Sequence, residues 1–233
     1  ASGANHWRVQ ATYEGNHMSR ESVSQNQLQP NVDYGLKNFL ADLWRGGQYA
    51  YYWTPTEAGD GSGISFWFDT SSIPEPPSDW DHVYFGVHPL WQRGTEHQRG
   101  GNDAARVSSA NCLFADLDAK LADGGQAAIL DHLDSLWRVG VPYPTALIDS
   151  GGGYHAYWIF DDGQTQDLRD ESTKRRHDAL QRTWVKYVVG GTPGLDGSVK
   201  DLNRVLRCPG TFNHKYDPVR PVAMVEYHRY RVY

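Results

Sequence analysis

Apolar residues recur along this chain in two rhythms, and the switches between them predict its elements. Leu36, Phe39, Leu40, Leu43 and Trp44 fall at i, i+3, i+4, i+7 and i+8, the stripe of a helix that starts near Asp33 and stops at Gly46-Gly47. Tyr49 to Trp53, Ile64 to Phe68 and His82 to Val87 read as strands, separated by a Gly-rich turn and the Pro74 to Pro77 loop. Cys112 to Leu117 is an apolar strand with acidic residues at its end. Ala127 to Val139 reads as a helix with Ile129, Leu130, Leu133, Leu136 and Trp137 inward, stopped by Gly140 and Pro142. Thr145 to Ile148 and Tyr154 to Phe160 are strands around a second Gly-rich turn. Thr165 to Val189 reads as one long polar helix, Leu202 to Arg207 as a short helix or turn, and Val222 to Val232 as a closing strand. Interleaved strands and helices imply an α+β or mixed α/β fold. Residues 1–30 are a polar arm, and residues 88–109 a long loop carrying Arg93, Arg99 and Arg106, whose role is open.

Composition narrows the class. The chain has 233 residues, 39% of them hydrophobic, with 9 Trp and 14 Tyr, enough for one large domain or two small lobes. No apolar run is long enough to cross a membrane, and residues 1–30 have no signal-peptide core, so a cytoplasmic protein is expected. The 2 cysteines, Cys112 and Cys208, make neither a disulfide framework nor a four-cysteine zinc site. A net charge of −6 counts against a protein that coats duplex DNA with a broad basic surface. Basic residues are local instead: Lys200, Arg204, Arg207 and Lys215 cluster late in the chain.

Three motifs carry the chemistry. Phe114-Ala115-Asp116-Leu117-Asp118 ends a strand, and strand side chains repeat every two residues, so both carboxylates share a face. Such a pair repels itself unless a cation neutralises it, and oxygen donors suit Mg²⁺ or Mn²⁺. Ser150-Gly151-Gly152-Gly153-Tyr154-His155 brings backbone close to a ligand and starts the next strand with a histidine in the cleft. It is not a Walker A loop, and no kinase D-F-G occurs. Leu195-Asp196 supplies a third carboxylate for catalysis and metal binding, with Asp201 as its competitor. Arg204 and Arg207, three apart on a helical turn, share a face suited to a triphosphate or a nucleic-acid backbone, with Asn213 and Lys215 following.

Together these motifs resemble the archaeo-eukaryotic primase superfamily, in the primase–polymerase branch of phage and plasmid replicons. The likeness runs from about Tyr49 to Lys215 and includes Asn203-Arg204-Val205-Leu206-Arg207-Cys208-Pro209-Gly210-Thr211-Phe212-Asn213, similar to the arginine-rich tail after the third motif. The second motif often has Ser two residues before its histidine; here Gly153 stands there, and Ser150 offers a hydroxyl from elsewhere. The resemblance implies an α+β catalytic core: an RRM-like palm over about 111–233 joined to a smaller N-terminal αβ unit over about 31–110. It implies a DNA primase and/or DNA polymerase, in which Asp116, Asp118 and Asp196 hold two divalent metals while His155, Arg204, Arg207, Ser150, Asn213 and Lys215 bind NTP or dNTP on a single-stranded DNA template. A replicative helicase or helical accessory domain outside this chain is a further candidate partner. Two alternatives stay open: a metal-dependent nuclease or phosphohydrolase using the same carboxylates, and a non-catalytic single-stranded DNA template-binding module.

Overall fold

The structure, a computed structural model, describes residues 32–56, 62–94, 104–120, 122–189, 200–229 and 232–233. The chain divides into two units, residues 1–30 and 31–233, and everything below concerns the second. Its elements run α1 (Val32–Leu43), β1 (Tyr49–Pro55), β2 (Gly63–Asp69), β3 (Tyr84–Gly86), β4 (Ser109–Ala110), β5 (Cys112–Asp118), α2 (Gly125–Arg138), β6 (Ala146–Asp149) and β7 (Gly153–Ile159). Then follow β8 (Gln166–Asp167), α3 (Glu171–Val189), β9 (Val205–Arg207), β10 (Phe212–Asn213), β11 (Arg220–Pro221) and β12 (Ala223–Tyr227). The fold is α+β, as expected, with two four-stranded sheets in the orders β2-β1-β3-β9 and β12-β6-β7-β5. Every strand pairing in both sheets is antiparallel.

One core lies between the sheets. The apolar stripe of α1 supplies Phe39, Leu40, Leu43 and Trp44, which meet Tyr52 and Phe85 of the first sheet and Phe114, Ile148 and Tyr157 of the second. Phe39 sits edge-on to both Phe85 and Tyr157, with ring centroids 6.0 and 5.1 Å away. The Trp44 indole N–H donates to the Gly86 carbonyl at 2.8 Å, so its one polar atom is satisfied inside the core. A second core covers the opposite face of the second sheet, where Ile129 and Leu133 of α2 and Val185 and Val188 of α3 pack on Leu113, Ala115 and Leu117 of β5.

β5 is thus buried on both faces, with its residues sorted by the two-residue period. Leu113, Ala115 and Leu117 face the helices; Cys112 and Phe114 face the inter-sheet core. The strand is an edge of its sheet, and Phe114 would have an unpaired N–H and C=O there. Gln181, fully buried on α3, fills both roles: its Oε1 accepts the Phe114 N–H at 3.2 Å and its Nε2 donates to the Phe114 carbonyl at 2.8 Å.

Two expectations are corrected. The long helix starts at Glu171, not Thr165. Residues 166–167 instead pair with β4, and the Asp170 carboxylate accepts the Thr173 backbone N–H at 2.7 Å, capping the helix. The Ser172 hydroxyl, then the Thr173 hydroxyl and that backbone bond, hold the Asp170 carboxyl down at about 2. The stretch expected as a short helix or turn over Leu202–Arg207 turns at residues 202–203 and then forms strand β9, because Val205 and Leu206 complete the first sheet beside β3. Propensity over six residues is weak, and tertiary pairing overrides it.

α3 also brings His177 against His88, with ring centroids 5.6 Å apart and both residues buried. No ring nitrogen of either has a hydrogen-bond partner among the described residues. Burial pushes both pKa values down, His177 to about 4, with Asp178 pulling weakly the other way, and His88 well below the usual range with His177 adding to the effect. The unfolded chain protonates these rings near the ordinary value of about 6.5 while the folded chain stays neutral. Stability is therefore full above that pH and is lost as pH falls toward 4. Urea titrations at pH 7 and about pH 5 should differ by about 2 kcal/mol from His177 alone. The variant His177→Phe should flatten that pH dependence.

Candidate active site

The site begins where the inter-sheet core stops. Continuing the period of Cys112 and Phe114 along β5 puts Asp116 and Asp118 on the core-facing side, past its apolar part. On the neighbouring strand β7, Tyr157 and Ile159 belong to that same core, so His155 and Gly153 follow on the same side. The ladder aligns Asp116 with His155 and Asp118 with Gly153. His155 Nε2 lies 3.7 Å from Asp116 Oδ1. Burial, the dominant influence, lowers the pKa of His155; Asp116 and Asp149 oppose that shift and Arg207 reinforces it. Asp118 Oδ1 accepts the Lys120 N–H at 2.9 Å, which fixes that carboxylate at the strand end.

The Gly-rich turn is latched from three sides. Its Ser150 carbonyl accepts from Asn213 Nδ2 at 2.7 Å, its Gly151 carbonyl from Arg220 at 2.8 Å and its Gly152 carbonyl from the Ala119 N–H at 3.0 Å. Ser150 Oγ turns back onto the Gly153 carbonyl at 3.2 Å. Gly151 has φ 77°, a left-handed conformation that favours glycine. Gly153 is glycine for another reason: a Cβ there would lie 2.1 Å from the Leu117 carbonyl oxygen and 2.8 Å from the Ala119 nitrogen, both backbone. No serine fits at this position in this chain. Gly153→Ala should force the end of β5 away from β7 and cost about 2 kcal/mol or more in denaturant unfolding. It should also displace Asp118, its ladder partner.

Across the cleft stands the first sheet. The cleft measures about 310 Å³, and its lining includes Asp116, Asp118, His155 and Ser150 on one side and Trp53, Tyr84, Arg204 and Arg207 on the other, with Lys120, Asn213, Lys215 and Tyr216 around them. Arg207 ends β9 opposite Tyr84 in the ladder, and its guanidinium sits over the Tyr84 ring at 4.8 Å. Only 5% of Arg207 is exposed, yet neither terminal nitrogen has a hydrogen-bond partner among the described residues. Burial lowers its pKa from the ordinary value, while Tyr84, Tyr216 and Asp116 oppose that shift. Arginine keeps its proton nonetheless, so this is a buried cation aimed into an open cleft. Arg204 reaches the same cleft but spends one terminal nitrogen on Asp201.

The structure therefore gathers Asp116, Asp118, His155, Ser150, Arg204, Arg207, Asn213 and Lys215 around one cavity. Asp196 lies outside the described residues. Asp201 is not in the cleft; it lines a separate hollow with Asp178 and Arg182 of α3. Asn213 acts on the turn, through its bond to Ser150. Trp53, Tyr84, Lys120 and Tyr216 line the cleft without any sequence signal of their own, since each is an ordinary residue until the sheets assemble. Tyr216 is flanked by cations, with Arg220 over its ring at 3.9 Å and Lys120 at 5.2 Å.

The donor set suits a hard divalent cation: two carboxylates share one strand face at the cleft. Among the described residues, no group of three or more His, Cys, Asp or Glu is close enough to form a metal cluster. No described helix is long and apolar enough to cross a membrane.

No family model matches the chain. A replication protein of Clostridium perfringens is 28% identical to it over 110 residues, which is 47% of this chain and 25% of that protein. The match thus spans a quarter of its curated relative. Two solved structures are similar in fold. The AEP domain (PP-N190) of the cyanophage S-2L primase-polymerase superposes with a TM-score of 0.56 and 18% identity, covering 86% of this chain and 92% of that one. The primase RepB' superposes with a TM-score of 0.52 and 14% identity, covering 83% of this chain and 56% of that one. The chain thus shares the α+β fold of these two solved structures.

Proposed function

We propose that a chain with this fold and this cleft transfers nucleotidyl groups to a growing strand on a single-stranded DNA template, as a primase, a polymerase or both. One observation carries the reading: a carboxylate pair and a buried arginine, whose terminal nitrogens have no hydrogen-bond partner among the described residues, line a single cavity. The carboxylates suit metal, and the cation suits phosphate. The names of the similar proteins, a primase-polymerase domain, a primase and a replication protein, support the same direction.

In this reading the attacking 3′-hydroxyl oxygen forms a bond to the α-phosphorus of a nucleoside triphosphate, and pyrophosphate leaves with the electrons of the broken bond. Mg²⁺ or Mn²⁺, bound by Asp116 and Asp118 with Asp196 as third carboxylate, would lower the hydroxyl pKa and neutralise the leaving group. Arg207 offers two terminal nitrogens to the phosphates, preorganised by Tyr84 beneath it. Lys215, Arg204 and Lys120 add positive charge around the cleft. His155 stands beside Asp116 to contact the triphosphate. Replication in an intracellular setting, and a helicase or helical module elsewhere in a longer protein, belong to the same proposal.

The test is a gel assay on primed and unprimed single-stranded templates, with NTPs or dNTPs and with Mg²⁺ or Mn²⁺. Metal-dependent extension supports the reading, and product on unprimed template adds primer synthesis. Template shortening without any extension overturns it in favour of a nuclease.

A further inference from the structure

Three cations in and beside the cleft rest on aromatic faces and not on carboxylates. Arg207 lies over the Tyr84 ring at 4.8 Å, and Tyr216 has Lys120 at 5.2 Å and Arg220 at 3.9 Å from its ring centre. Neighbours fix Tyr216 in place. Arg220 also donates to the Gly151 carbonyl at 2.8 Å, and the Tyr216 hydroxyl sits so close to Gly152 that a Cβ there would lie 2.4 Å from it. The backbone of Lys120 is tied to the carboxylate end of β5, since its N–H donates to Asp118 at 2.9 Å. Lys120 and Tyr216 line the cleft, and Arg220 stands outside that lining. Among the described residues, neither Lys120 nor Arg220 pairs with a carboxylate.

The kind of partner matters for charge. A carboxylate holds an ammonium by cancelling its charge. An aromatic face holds it through the ring quadrupole and leaves the unit charge available to an anion. We propose that Tyr216 is a positioning residue: pinned by Arg220 and Gly152, its ring holds the Lys120 ammonium at the cleft as an uncompensated charge for the phosphates of a nucleoside triphosphate. The proposal rests on the nucleotidyl-transfer reading. Arg207 lies within electrostatic reach of Tyr216, so the cations held by the two tyrosines serve one anion. A glutamate at this position is the ordinary way to hold two cations, and it would spend the charge that the phosphates need.

Isothermal titration with inorganic tripolyphosphate and Mg²⁺, and with no template, reads the anion site without catalysis. Lys120→Met should weaken binding about tenfold, and Tyr216→Leu should reproduce most of that loss. The double variant should bind no worse than Lys120→Met alone, because the ring acts through the ammonium. Tyr216→Phe keeps the ring and should stay within about twofold of wild type. Losses that add in the double variant overturn the proposal, as does a Tyr216→Phe variant as weak as Tyr216→Leu. A wild type without measurable tripolyphosphate affinity overturns it too. Where Tyr216→Leu does not fold by circular dichroism, Tyr216→Met carries the same cycle. A chain that shows this ring-dependent binding and extends no primer keeps the role of Tyr216 and sinks the nucleotidyl-transfer reading alone.

Discussion

Replacing Asp116 and Asp118 together by alanine should abolish metal-dependent incorporation, by about a thousandfold or more, with the thermal midpoint unchanged or raised. Both carboxylates stand past the apolar part of β5, on the side that faces the cleft. Neither packs the core, so their removal opens no cavity. Two like charges on one strand face also repel each other in the metal-free protein. The pair is thus kept against local electrostatics, the pattern expected where charge serves a ligand. Primer extension followed by gel, alongside a thermal melt, checks both halves. Extension within about tenfold of wild type in the double variant would falsify the assignment of these residues.

Arg207→Met should separate function from stability more sharply. The cation is buried, and burial disfavours its charge. Methionine has similar length without the desolvation cost, so the variant should unfold at equal or higher denaturant concentration. Catalysis should move the other way. Losing a preorganised donor aimed at developing phosphate charge costs about a hundredfold in kcat/KM, and more where a bidentate contact is lost. Arg207→Lys should recover only part of that, because a single ammonium cannot reproduce the fork. Steady-state extension kinetics with varied nucleotide concentration give the comparison. A variant that loses stability and keeps activity would make Arg207 a structural residue.

What the sequence disclosed depended on the range of the signal. The D-x-D face and the apolar stripe of α1 follow from periods of two and 3.6 within a single element, and the folded chain keeps those local relations. Long-range pairing was hidden. Nothing local to Val205, Leu206 and Arg207 says that they join β3 in the first sheet, so a short helix or turn is expected where a strand forms. That expectation put Arg204 and Arg207 on one helix face; they reach one cleft by another route, with Arg207 closing β9 and Arg204 in the turn before it. The wall of Trp53 and Tyr84 was equally silent, because a tyrosine or tryptophan in an apolar run reads as core. Gly153 looked like a departure from the motif's usual serine, and only the approach of Leu117's carbonyl explains it.

The contact between Gln181 and Phe114 has a consequence for how the molecule behaves in a crowd. An open sheet margin can recruit an extended segment from a neighbour, and such templating is how many β-rich chains clump. One amide side chain, standing in for a missing neighbour strand, occupies that margin two residues before the first carboxylate. Stray peptide is thereby denied a foothold beside the acidic end of β5, and a polar residue on a distant helix acts as a sentry for solubility.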